Sequence, residues 1–357
     1  MRRVEASAPG KAVIIGEYAV LHGAPALVLA VDRRVRVTIS SGPPDVGHLE
    51  IPQLTSEPVE FAIESPGRIR WRDGRADRPE LALCRNLLSR AIKQSDISAL
   101  PGPDGLQVRI DSGELYLDEQ GGPIKLGLGS SAAVTVALQA ALERYFRPSA
   151  SEASPQLAEL LQAHRREQGG RGSGLDLAAA LAGGLLVYRL VEDRPELQLV
   201  DWPDDWPLLF VWTGRAASTG RFLDAYERWR AMDPSAAASL QQAMDCCARE
   251  AVACVKSADL APFMTCINNY RGLMGRIGAG TQVEVLSPQH QRLAGIARDF
   301  GAAYKPCGAG GGDLGMFVLP DEARLDELRS SIAASGFRQL ELRPAITGLQ
   351  LAITDNI

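Results

Sequence analysis

Glycine and other small residues crowd into three short stretches of this 357-residue chain, and each stretch carries charged side chains suited to phosphate chemistry. The middle stretch, residues 125–133, reads "KLGLGSSAA" and runs straight into an apolar helical pattern. Gly127 and Gly129 can take backbone angles closed to other residues and let a ligand approach the main chain. Ser130 and Ser131 stand where the helix begins. Free backbone N–H groups and the positive end of the helix dipole favour a phosphate there. A serine hydroxyl at that place can also bind a magnesium ion carried by a nucleotide. Lys125 adds a positive charge beside the loop. Alone, the loop is equally a tight turn closed by a serine N-cap. No Gly-Lys-Ser/Thr closes it as in a P-loop, and the third glycine of a dinucleotide fingerprint is missing.

Residues 305–315 read "KPCGAGGGDLG", with four glycines in five residues from Gly308 to Gly312. Such a run costs chain entropy and needs a reason. A backbone pressed against an anionic ligand, or against another loop, would supply one; so would a flexible hairpin between strands. Residues 8–18 read "APGKAVIIGEY". Lys11 follows a Pro-Gly turn and can neutralise charge on a transferring phosphoryl group. A lone lysine after a turn is equally a solvated side chain.

These stretches need elements to hold them. Apolar runs over residues 4–8 and 13–16 flank Pro9-Gly10 and read as strands. "ALVLAV" and "VRVTIS" read as two more, and residues 41–80 as loops or edge strands. Helices are expected over residues 81–93, through "SAAVTVALQAALERYF", from Ser154-Pro155, and over "LDLAAALA". "LLVYRL" is a strand, and the polar, turn-rich "VEDRPELQLVDWPDDWP" a domain junction. The second half opens with "LLFVW", continues in long helices, and ends in alternating strands and helices. Mixed order of this kind is α+β rather than a doubly wound parallel sheet.

Composition narrows the function. A hydrophobic fraction of 46% over 357 residues suits two domains. A net charge of -5 provides no basic face for nucleic acid and argues against a membrane surface. No short apolar core follows Met1-Arg2-Arg3, so no signal peptide is expected. None of the six cysteines forms a CxxC pair, and the four histidines are scattered, which disfavours zinc. Cys247 and Cys254 fall on one helix face, and the cysteines read as reduced thiols in a cytoplasmic protein.

In their order along the chain, "APGKAVIIGEYAVLHGAPAL", "GLGSSAA" and "CGAGGGDLG" resemble the three signature motifs of the GHMP kinase superfamily, named for galactokinase, homoserine, mevalonate and phosphomevalonate kinases. The resemblance spans nearly the whole chain. "GGRGSGLDLAAALAGGLLVYR", "VWTGRAASTGRFL" and the aspartate closing the third motif are most similar to the phosphomevalonate kinase branch. The resemblance implies two domains. Residues 1–200 would resemble ribosomal protein S5 domain 2 and carry the phosphate loop and catalytic aspartate. Residues 201–357 would be ferredoxin-like and carry the third motif and the acceptor segment.

The same resemblance implies ATP and Mg2+ as cofactors and an anionic small molecule, phosphomevalonate, as acceptor, in a monomer or homodimer. Lys125, Gly127, Leu128, Gly129, Ser130, Ser131 and Ala132 would hold the nucleotide, with Ser131 on the metal. Asp176 would orient the attacking oxygen, with Lys11 beside it. Tyr18, His22, Ser173, Ser218, Thr219, Gly310, Gly311 and Asp313 would surround the acceptor, and Arg215 and Arg221 could meet its charge. Ser218 and Thr219 also read as a plain helix cap. Mevalonate kinases supply a second metal ligand from a glutamate upstream of the aspartate; Glu167 does not match that spacing, so the second carboxylate stays unassigned. His164 reads as a helix-surface residue or a satisfied polar contact. Rival readings are a mevalonate kinase, another kinase of the superfamily, or a non-catalytic ligand sensor on the same fold.

Overall fold

The computed structural model describes residues 2–64, 68–72, 74–94, 104–119, 122–147, 155–167, 170, 172–217 and 219–355. It opens with β1 (Arg2–Ile15), one strand where the sequence pattern suggests two. Pairing with β2 (Ala26–Pro44) continues through Pro9 and Gly10, and the irregularity becomes a register shift between them. A bulge is where a strand tolerates a residue without an N–H. β2 is also unbroken, although its sequence reads as two runs, because β1 pairs along almost all of it. Three short strands come next, β3 (Gly47–Glu50), β4 (Val59–Glu64) and β5 (Arg68–Trp71), and then α1 (Ala82–Gln94) and β6 (Asp104–Asp111). The hairpin of β7 (Tyr116–Glu119) and β8 (Gly122–Lys125) delivers the chain to the glycine-rich loop of residues 126–129 and α2 (Ser130–Phe146). α2 is apolar on nearly every side and lies against β1, β2, α1 and α4, as a central helix must.

α3 (Leu157–Glu167) and α4 (Leu175–Ala182) lead into β9 (Leu185–Val191) and β10 (Arg194–Val200). The turn between those strands places Glu192 and Asp193 at positive φ, the geometry of a two-residue hairpin. The polar segment read as a junction therefore contains a strand of the first sheet, β10, before its turn-rich end. That sheet runs β10-β9-β2-β6-β3-β4-β5, with β1 on the other edge of β2. Only β3 and β6 run parallel among its described pairs.

The second half holds β11 (Leu208–Trp212), α5 (Thr219–Met232), α6 (Pro234–Ser257), α7 (Leu260–Thr281) and α8 (Pro288–Asp299). Asp233 and Ser287 cap α6 and α8, each with proline at the first helical position. β12 (Ala303–Cys307), β13 (Leu314–Val318), α9 (Leu325–Ala334) and β14 (Arg338–Leu340) complete an antiparallel sheet in the order β12-β13-β11-β14. Strand, helices, two strands, helix, strand in that order is the split arrangement of ferredoxin-like folds. The final strand, β15 (Gln350–Asp355), crosses the division expected at residue 200 and pairs with β1. Edge N–H and C=O groups of β1 find partners that way.

Cys247 and Cys254 are buried on α6, and all six thiols are free. Burial pushes the Cys84 thiol up to about 12 and Cys247 up to about 11, so neither is a ready nucleophile.

One ion pair joins the two sheets. Lys305 of β12 has no exposed surface, and its Nζ donates to Glu17 Oε1 at 2.5 Å and to Pro306 O at 2.6 Å. Gly308 N also donates to Glu17 Oε1, at 3.0 Å. Removing one member leaves a buried charge uncompensated, which typically costs about 3–5 kcal/mol. Lys305→Ala is expected to lose stability on that scale, read as a lowered midpoint in urea unfolding.

Candidate active site

Between the sheets lies a cleft of about 280 Å3. Its first wall is the start of α2. Gly129 occupies the N-cap at φ 74°, and no side chain caps the helix. The first-turn N–H groups therefore point to open space, an anion-binding arrangement. Lys11 N donates to Leu128 O at 2.9 Å, which ties β1 to this loop. The Lys11 side chain is only 9% exposed and its Nζ stands 3.5 Å from Asp176 Oδ1. A Cβ on Gly129 would sit 3.1 Å from Lys11 Cε and 3.4 Å from Asp176 Oδ2. Glycine is thus required where loop, lysine and aspartate converge.

Asp176 lies in the first turn of α4, which begins after Gly174 at φ 84°. Tyr188 O–H donates to Ser173 O at 2.5 Å, and Ser173 Oγ accepts from Leu175 N at 3.4 Å. These bonds fix the turn that presents the aspartate. Arg165 braces the same turn by donating to Gly172 O.

The third motif forms the opposite wall. Asp313 has φ 54° and binds the strand-to-helix loop three times. Its N donates to Arg215 O at 2.6 Å, its O accepts from Thr213 N at 2.9 Å, and its Oδ1 accepts from Ala217 N at 3.0 Å. A Cβ on Gly127 would meet Asp313 Cβ at 2.5 Å, so the second and third motifs touch there. Burial pushes the Asp313 carboxyl up; the Ala217 N–H, Lys11 and Lys125 partly offset this.

Lys125, Gly127, Leu128, Gly129, Ser130, Ser131, Lys11, Asp176, Tyr18, Ser173, Thr219 and Asp313 all line the cleft. Tyr18 O–H donates to Ala309 O at 2.5 Å, so its hydroxyl ties the first motif to the third. Ala132 is buried inside α2. His22 lines a neighbouring groove instead, 3.6 Å from Glu227, because the short helix after Tyr18 turns it away. Gly310 and Gly311 face protein: a Cβ would strike Val285 O at 2.4 Å or Phe222 Cζ at 2.2 Å. A side chain at either position would meet protein, which accounts for both glycines. Arg215 pairs with Glu284 at 2.9 Å, and Arg221 is exposed outside the cleft. Ser218 lies outside the described residues.

Two features are not placed by sequence reasoning, one in the cleft wall and one outside it. His164 is buried, lines the cleft, and places Nε2 3.3 Å from Ser131 Oγ. Lys305 sits in a strand that reads as loop; the only hint is its place in the run "AAYKPC". Among the described residues no three His, Cys, Asp or Glu side chains gather as a metal site. The donors present, Ser131 Oγ and the Asp176 carboxylate, fit a cation whose other ligands are nucleotide phosphates.

Residues 86–184 match the GHMP kinases N terminal domain. The phosphomevalonate kinase of Streptomyces sp. strain CL190 is 32% identical across 98% of this chain and 99% of its own length. The chain belongs to the GHMP kinase family. It is therefore a small-molecule kinase. The mevalonate kinase of Aeropyrum pernix is 30% identical over 88% of the chain and 89% of its own. The Streptococcus pneumoniae phosphomevalonate kinase, solved in complex with phosphomevalonate and AMPPNP, shares the fold with a TM-score of 0.74 at 18% identity, covering 95% of this chain and 99% of its own.

Gly127→Ala combines a left-handed φ with a clash against Asp313 and is expected to weaken ATP binding at least about tenfold by calorimetry. The raised Asp313 carboxyl also has a pH signature. It holds its proton to higher pH folded than unfolded, so its contribution to stability falls as pH rises from 3.8 through the folded value. Asp313→Asn is expected to resist urea better than the parent at pH 7, with the gap closing below pH 3.8.

Proposed function

We propose that the chain transfers the terminal phosphoryl group of ATP to the phosphate of 5-phosphomevalonate, giving 5-diphosphomevalonate and ADP. The observation that carries the kinase chemistry is the 3.5 Å approach of Lys11 Nζ to Asp176 at the open start of α2. The acceptor rests on the near full-length likeness to the Streptomyces enzyme and on the aspartate that closes the third glycine run.

Phosphoryl transfer needs alignment and charge neutralisation more than covalent help. The first-turn N–H groups of α2 and Lys125 receive the nucleotide phosphates. Ser131, with Asp176 nearby, would hold Mg2+, which neutralises phosphate charge when bound. Lys11 faces the transferring group and stabilises charge that develops on it. Asp176 orients the acceptor's attacking oxygen. A phosphate acceptor is already ionised, so this aspartate works chiefly by position; a hydroxyl acceptor would ask it to take a proton.

A second reading is mevalonate kinase. It is favoured by the Aeropyrum relative and by the pairing of Arg215 with Glu284, which leaves Lys11 and Lys125 as the lysine and arginine side chains lining the cleft among the described residues. A coupled ADP-release assay with both acceptors decides between the two. ADP release with phosphomevalonate and not with mevalonate is expected; the reverse result overturns the acceptor. Asp176→Ala is expected to lower turnover at least about a hundredfold, through loss of alignment, while leaving affinity for metal-free ATP unchanged. Parental turnover in that variant removes Asp176 from the reaction.

A further inference from the structure

The geometry points to His290 as a positioning residue that sets the third motif against the phosphate loop. It lies near the start of α8, is 1% exposed, and does not line the cleft. Its Nε2 stands 3.0 Å from Gly312 O, and its Nδ1 stands 2.7 Å from Tyr304 Oη. A carbonyl oxygen only accepts, so Nε2 carries the proton. Nδ1 then has a free lone pair, and the Tyr304 hydroxyl donates to it. Both ring nitrogens are satisfied in one tautomer of the neutral ring. Burial pushes the imidazole down to about 4; the Gly312 bond opposes this and Lys305 adds to it. The donor to Gly312 is thus in place throughout the neutral pH range.

Gly312 immediately precedes Asp313 in the chain, and the bond gains its importance from that position. Asp313 takes a left-handed backbone conformation that L-residues rarely hold. Its carboxylate must lie flush against Gly127, where a Cβ would come within 2.8 Å of Oδ2. Arg215 O confines Gly312 on another side, 2.4 Å from where a Cβ would be. His290 holds the peptide just before Asp313, so the ring orients a wall of the cleft from outside it. Without it, the buried Gly312 carbonyl loses a donor, and the peptide is left to the Asp313 N–H bond to Arg215 O on its other side. This rests on the cleft being the nucleotide site and is independent of which acceptor it takes.

The test compares His290→Gln, His290→Asn and His290→Leu in the full chain, with circular dichroism confirming the fold at 20 °C. The glutamine amide can reach Gly312 O as Nε2 does; asparagine is too short and leucine has no donor. His290→Gln is expected to keep turnover and ATP affinity within about threefold of the parent. His290→Asn and His290→Leu are expected to lose about tenfold or more in kcat, in ATP affinity by calorimetry, or in both. A residue that only fills the core would lower the melting temperature in all three and leave kcat per folded molecule unchanged, and that result overturns the inference. Equal losses in the glutamine and leucine variants overturn it too. Should the leucine variant not fold, Tyr304→Phe keeps the ring's volume and removes the donor to Nδ1. A fall in kcat of about fivefold or more is expected there, and kcat within about threefold of the parent refutes the inference. Failure of the parent to bind ATP would instead count against the site itself.

Discussion

A lysine with no exposed surface and the glutamate it meets hold the two sheets of this protein together. The pair is costly to desolvate, so its geometry has to be good. Lys305 Nζ reaches Glu17 Oε1 and Pro306 O, and the Gly308 N–H adds a second donor to the same carboxylate oxygen. Glu17 Oε2 is buried without a hydrogen-bond partner among the described residues. That arrangement sets register rather than raw stability: it pins the first motif, at the end of β1, to the start of the third, at the end of β12. Tyr270 and Tyr18 reinforce it, donating to Glu17 O and Ala309 O.

With those ends fixed, the cleft is shaped by local backbone constraints. β1 carries Lys11 and bonds to the phosphate loop through Leu128 O. The loop can then approach both Lys11 and Asp313 only because Gly129 and Gly127 have no side chain. Asp176 arrives on a different helix, and its turn is held by Tyr188 and Arg165 from the sheet and α3. Three parts of the chain thus converge on a small volume in which charges of both signs sit within reach of a phosphate.

The helix starts at the cleft were legible because they depend on local patterns. The α2 start and the α4 start after Gly174 can be read from spacing and glycine placement; the strand carrying Lys11 reads instead as two runs broken at Pro9-Gly10. So could the family, since three short motifs in order say more than any one of them. What stayed hidden was tertiary. Nothing near Lys305 tells that its partner lies 288 residues away. The glycines at 310 and 311 read as ligand-facing, yet their neighbours are Val285 and Phe222. His22 lies close to Tyr18 in sequence, but the intervening turn sends it to another groove. The return of β15 to β1 also has no local signal, because a sheet edge is completed by whichever strand can reach it.

The proposed function has this cleft place a second phosphate on one already carried by the acceptor. It is tested most directly by phosphorus NMR of the protein incubated with ATP, Mg2+ and 5-phosphomevalonate. The acceptor's phosphomonoester signal is expected to be replaced by a coupled diphosphate pair as ADP accumulates. An intact phosphomonoester, in a sample where mevalonate in its place gains a single phosphate, would contradict it.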